Sequence, residues 1–128
     1  MIEMMTASLL GPRTDPPADI PPDAVPPGVV FRTGRLIPWL GGLFSGMKAP
    51  AAAVTLGRTI VINPRAKLTY ALLAHELTHV RQWEADMLFP IRYSLASLRH
   101  GYRQNPYEVE AREVEALAIR TQSGKEIV

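Results

Sequence analysis

Seven of the chain's twelve prolines, Pro12, Pro16, Pro17, Pro21, Pro22, Pro26 and Pro27, fall within sixteen consecutive positions near its start. Proline lacks a backbone donor and fixes φ, so this stretch cannot form a regular helix or an inner strand. Residues 11–28 also offer little apolar surface, which predicts polyproline II or disorder. That composition suits a spacer; an arm lying over a cleft is the alternative. The chain has 128 residues and is 47% hydrophobic, so one compact unit is expected, shorter than the whole sequence. Residues 1–30 are read as a Pro-rich flexible arm and 31–128 as one domain, with its core at 52–122.

Charge is unevenly divided. Residues 1–30 carry a net −3, residues 31–103 a net +7 and residues 104–128 a net −2, giving +2 overall. A basic middle argues weakly for nucleic acid or a membrane surface, and an intramolecular contact with the acidic arm explains it equally well. No nucleic-acid partner is expected. The absence of cysteine excludes disulfide frameworks, thiolate metal sites and cysteine nucleophiles, so any metal rests on histidine and carboxylate. Glu3 stands where a secretory signal carries positive charge, so a cytoplasmic location is expected. The apolar run 36–47 is interrupted by Pro38, Gly41, Gly42 and Gly46 and falls short of the ~20 residues that span a bilayer.

Val29 to Trp39 reads as irregular, with a short strand and a short helix, before Gly-Gly and Ser45-Gly46 break the pattern. Val54 and Leu56 on one side of Gly57-Arg58, with Ile60 and Ile62 on the other, predict a β-hairpin that Asn63-Pro64 ends. Three helices follow. Residues 66–85 lack Gly and Pro and are rich in Ala and Leu. Residues 88–100 place Leu88, Ile91, Leu95 and Leu98, continued by Tyr102, at the 3, 4, 3, 4 spacing of a buried stripe, beside a solvated row of Arg92, Arg99 and Arg103. Asn105-Pro106 opens the third helix, expected to end near Gln122 with Tyr107, Ala111, Val114, Leu117 and Ala118 as its buried face.

The first of these helices contains His75-Glu76-Leu77-Thr78-His79, an HExxH pattern. Four residues advance a helix by about 400°, so the two imidazoles share one face a turn apart, close enough to hold one zinc ion. Glu76 is turned by about 100° and can reach a metal-held water without being a ligand, the placing a general base needs. HExxH also arises by chance on polar helix surfaces. Here the helix is apolar nearly all round, and two histidines with a glutamate buried together need a partner, of which a metal is the simplest.

Ala74-His-Glu-Leu-Thr-His-Val80 resembles the active-site helix of the gluzincin zinc metallopeptidases, the zincin clan that includes thermolysin and the minigluzincins. Ala53–Pro64 with Leu72–Gln82 is also similar to the metallopeptidase-like core domain associated with extracellular contractile injection systems. With the third helix, the resemblance covers about residues 52–122. It implies an α+β fold, a small zincin-like domain with a β-hairpin packed on three helices, and hydrolysis of peptide bonds in a peptide or protein substrate. It further implies Zn2+ held by His75, His79 and a glutamate on a later helix, with Glu76 activating the water. Metzincin spacing does not fit, because Gln82 and Ala85 stand where its glycine and third histidine would be.

Glu108-Val-Glu-Ala-Arg112 matches the family's third-ligand pattern with Glu108 as ligand, although Arg112 stands where many members place an acid that orients a zinc histidine. The helical wheel leaves Glu110 open as an alternative, and Glu108 has a rival role as a capping-box residue behind Asn105. His100, Tyr102, Arg103 and Tyr107 are candidates for steadying an oxyanion. Gln82 is expected at the cleft and Trp83 in the core. Either hairpin strand, 52–56 or 59–63, could pair with substrate backbone as zincin edge strands do, or merely roof the helix. A metallopeptidase is the expected function. The alternative is a non-catalytic or partner-activated zinc-binding module of a larger assembly, and the acidic arm beside a basic body is a candidate autoinhibitory cover.

Overall fold

The computed structural model describes residues 2–18, 20–44 and 50–127. Among these residues it is mixed α and β, with a four-stranded sheet and five α-helices. The chain divides into two compact units, Met1–Leu68, which holds the sheet, and Thr69–Val128, which is helical.

In the first unit, α1 (Ile2–Leu10) precedes β1 (Arg13–Thr14), and a single 3-10 turn follows at Pro22–Ala24. The strand β2 (Val30–Thr33) and the helix α2 (Leu36–Phe44) are the short strand and helix expected near Val29 to Trp39, but α2 runs on through the expected break at Gly41-Gly42, since a glycine inside a helix costs only about 1 kcal/mol. The expected break at Ser45-Gly46 lies outside the described residues. The stretch 11–28 is more ordered than its prolines suggest. Arg13 and Thr14, placed between Pro12 and Pro16, pair antiparallel with Arg32 and Phe31, and Ile20 is buried. Gly11 makes this junction feasible: its φ is +92°, and a Cβ there would lie 1.9 Å from the Thr33 carbonyl oxygen. The buried Arg32 guanidinium donates to the Gly11 carbonyl at 2.9 Å, tying the turn to the sheet.

The predicted hairpin forms from β3 (Ala53–Leu56) and β4 (Thr59–Ile62), paired Val54 with Val61 and Leu56 with Thr59. Gly57 has φ +64° and, among the described residues, no non-glycine residue has positive φ, the sign pattern of a type II′ turn. The hairpin does not stand alone. β2 pairs parallel with β4, Val30 with Thr59 through Thr33 with Ile62, giving the order β1-β2-β4-β3. A parallel pair needs a crossover, which here carries α2 and β3. Strand β4 is therefore interior and apolar, with Ile60, Val61 and Ile62 buried. Residues 59–63 thus have no open edge for a substrate backbone, because both sides of β4 are already paired; β3 is the edge.

In the second unit α3 runs over Tyr70–Ala85, starting later than residue 66 because Thr69 caps it, its hydroxyl accepting from Leu72 N at 3.1 Å. The helix α4 spans Phe89–His100, with Pro90 in its first turn and Gly101 at its end. Helix α5 (Pro106–Ile127) begins behind Asn105, whose Oδ1 accepts from Tyr107 N at 3.0 Å, and runs past the expected stop near Gln122. One interior glycine costs a helix only about 1 kcal/mol, so Gly124 need not end it.

The expected buried stripe of α4 is overturned: Leu88, Ile91, Leu95 and Leu98 are all exposed. The opposite face is the one that packs. Phe89 is buried and meets Trp83, Tyr93 and Tyr107 edge-on at 5.1–5.6 Å, an aromatic cluster that joins α3, α4 and α5. Leu117 of α5 is likewise exposed, whereas Ala111 is fully buried and lets α5 lie close against α3.

Candidate metal centre

The helix α3 turns His75, Glu76 and His79 inward together with Ala71, Leu73, Thr78, Val80 and Gln82. One turn of helix separates the two imidazoles, and their ring centroids lie 5.1 Å apart. Across from them, the first turn of α5 presents Glu108. Its Oε1 lies 3.2 Å from His75 Nε2 and its Oε2 3.2 Å from His79 Nε2. One ligand atom from each of the three residues falls within 4.8 Å of the others, and all three residues are buried. Nitrogen, nitrogen and carboxylate oxygen converging in this way is a donor set suited to a divalent transition metal.

Both remaining ring nitrogens have fixed partners. His75 Nδ1 meets Glu115 Oε1 at 2.7 Å, and His79 Nδ1 meets Gln82 Oε1 at 2.8 Å. Such contacts leave each Nε2 to face the metal position. Gln82 is itself held, its Nε2 donating to the Tyr107 carbonyl at 3.1 Å and to Glu110 Oε1 at 2.7 Å. Glu110 therefore sits behind Gln82, outside the three-residue group, and Glu108 faces the histidines. The Glu108 carboxylate is directed at the imidazoles and at two tyrosines, not back at Asn105 as a capping box requires. Tyr93 Oη donates to its Oε2 at 2.5 Å and Tyr102 Oη to its Oε1 at 3.4 Å.

Arg112, at the position that leaves the orienting acid in question, donates instead to the Arg103 carbonyl. Glu115 occupies the role at His75. The wheel contains this signal: seven residues advance a helix by about 700°, so Glu115 lies within about 20° of Glu108's face. Of the proposed oxyanion residues, Tyr102 reaches Glu108, while Tyr107 is stacked with Tyr93 at 6.3 Å. His100 and Arg103 are exposed near the end of α4. Tyr93 is a site residue that sequence reasoning missed, because the expected buried face of α4 was the opposite one.

Electrostatics favour positive charge at the imidazoles. Burial alone lowers the His75 pKa, but the Glu108 contact, with Glu76 and Glu115, outweighs it and pushes the group up to about 9. His79 is raised for the same reasons, burial opposing and Glu108 dominating the opposition. Burial opposes ionisation of Glu108, yet its bonds to His75, His79 and Tyr93 hold its pKa far below the carboxylate range. Tyr93 and Tyr102 are driven upward, by burial and then by the Glu108 charge, and so remain hydrogen-bond donors. Glu76 is 4% exposed, and its charge acts on both histidines and both tyrosines.

Among the described residues, no helix is long and apolar enough to cross a membrane. Neither a curated protein nor a solved structure matches the chain. One segment, which holds the β3–β4 hairpin and the whole of α3 and stops before Glu108, is similar to a known family: residues 45–86 match the eCIS core domain.

Proposed function

We propose that the chain is a zinc-dependent peptidase in which His75, His79 and Glu108 hold the metal and Glu76 is the general base. The observation that carries this reading is the convergence of three buried ligand atoms within 4.8 Å, beside a buried glutamate that no ligand role requires. The eCIS core domain match is consistent with a metallopeptidase-like fold. Zinc, when bound, supplies Lewis-acid polarisation of a carbonyl and brings a water pKa to about 7.

The chain's own residues do the rest. Glu76, buried on the same helix as the two histidines, accepts a proton from water on its carboxylate and returns it to the departing amine. Glu115 and Gln82 hold the two imidazoles in orientation through Nδ1. Tyr93 and Tyr102 steady the Glu108 carboxylate, and Tyr102, whose 3.4 Å contact is the looser, is the donor better placed to turn toward a developing oxyanion.

A second reading, a non-catalytic zinc module of a larger assembly, is favoured by one feature. All three ligand residues are at most 9% exposed, as in closed structural sites. Metal analysis of wild type beside Glu76→Gln, Glu108→Ala and Glu110→Ala, with hydrolysis of an unfolded protein as the activity, separates the two. A peptidase requires stoichiometric zinc in wild type and in Glu76→Gln, loss of zinc in Glu108→Ala, and a drop of about 10²–10⁴-fold in turnover for Glu76→Gln. Zinc-loaded protein with no turnover in any variant supports the module. Wild type without zinc refutes both.

A further inference from the structure

The helix α4 is apolar on two faces, and the metal centre uses only one. Its inner face carries Phe89 and Tyr93, and Asn105 ties it to α5 by donating to the Tyr93 carbonyl and to Ser97 Oγ. Its outer face carries Leu88 (51% exposed), Ile91 (59%), Leu95 (59%) and Leu98 (85%). At 100° per residue these four lie within a band about 80° wide, too narrow for the broad apolar face of a membrane-surface helix. Their 3, 4, 3 spacing is the a/d seam of a helix that receives another helix.

The charges beside the seam select the partner. With Leu88, just before the helix, and Leu95 at a and Ile91 and Leu98 at d, Arg92 and Arg99 both fall at e; Arg92 already pairs with Asp86 at 2.7 Å, which leaves the charge of Arg99 to meet a partner, and Arg103 lies beyond the helix end at His100. No Asp or Glu occurs anywhere between residues 87 and 107. A second copy of α4 would set arginine against arginine when antiparallel. When parallel, it would set Arg92 against Met87 and Arg99 against Ser94 at g. Neither arrangement gains an ion pair. We infer that the outer face of α4 is a docking seam for an acidic amphipathic helix of another protein, with leucine-type residues in the seam and glutamate or aspartate flanking it. Two heptads bury a modest area, so this contact belongs to the weak, exchangeable class, with charge setting its selectivity.

The test uses the full-length protein and two designed three-heptad helical peptides with leucine at a and d, one with glutamate and one with lysine at e and g. Fluorescence anisotropy is expected to show micromolar binding of the glutamate peptide, at least about tenfold tighter than the lysine peptide and weakened by salt. Leu98→Asp should abolish binding. Arg99→Glu, which leaves the seam intact, should shift preference toward the lysine peptide. Both residues are exposed, and circular dichroism verifies that the variants keep their helices. Equal affinity for the two peptides, or binding unchanged in Leu98→Asp, overturns the inference. So does self-association that Leu98→Asp removes, and so does binding to phosphatidylserine vesicles without binding to the glutamate peptide.

Discussion

Replacing Glu115 is the sharpest probe of the metal centre, because nothing in the sequence motif demands this residue and only the geometry assigns it. Its Oε1 lies 2.7 Å from His75 Nδ1, while its side chain is 33% exposed. A hydrogen bond to a charged group contributes about 1.5–3 kcal/mol, and partial exposure argues for the lower half of that range. Glu115→Leu removes the whole contact, so metal affinity should fall by about 1.5–2 kcal/mol, or roughly 10–30-fold. Glu115→Gln keeps a neutral acceptor for Nδ1–H and should lose only about three- to tenfold. Glu113→Leu, on the exposed side of the same helix, is the control and should change little. The assay is a zinc titration against a chromophoric chelator at fixed pH, with helicity measured on each variant. Equal zinc affinity in Glu115→Leu and wild type would refute the positioning role, as would equal losses in Glu115→Leu and Glu113→Leu.

The raised His75 pKa gives opposite pH slopes with and without metal. The folded form holds this proton more tightly than the unfolded chain, so its stabilisation is complete below about pH 6.5 and is lost as pH rises through about 9. In chelator, thermal melts should show stability falling by on the order of 2–3 kcal/mol over that window, while the gain from added zinc grows, since zinc needs the deprotonated nitrogen; a flat profile in chelator contradicts the raised pKa. Leu73→Ala, at a position 1% exposed, should cost about 2–5 kcal/mol in urea unfolding, and Leu117→Ala, at one 56% exposed, less than about 0.5 kcal/mol. Asn105→Ala removes the bonds to Tyr93 O, Ser97 Oγ and Tyr107 N at a fully buried position, and should cost about 2–3 kcal/mol and loosen metal binding. Unchanged zinc affinity in Asn105→Ala would mean that the α4–α5 junction does not position Glu108.

What could be read from the sequence was local. His75 and His79 are linked by helical period alone, and the hairpin by Gly57 between two alternating runs, so neither needs a distant contact to be seen. Glu108 and Glu110 differ by two positions on one helix, and only the packing of α5 against α3 decides which carboxylate faces the imidazoles. The α4 stripe shows a different limit. Hydropathy detected an apolar face in Leu88, Ile91, Leu95 and Leu98, but periodicity carries no information on which of two apolar faces is covered. Phe89 and Tyr93, with their larger area and edge-on ring contacts, occupy the interior instead. The parallel pairing of β2 with β4 and the burial of Ile20 within a proline-rich stretch depend on contacts distant in sequence.

His75 and Glu108 are 33 positions apart, and α4 lies wholly within the segment between them. A metal ion bridging the two acts on the chain as a cross-link. Closing a loop of that length removes chain entropy from the unfolded ensemble equivalent to about 4 kcal/mol by the relation used for disulfides, in a chain that has no cysteine. Metal binding would therefore hold α4, which lies inside that loop, against unfolding together with the two helices on either side of it.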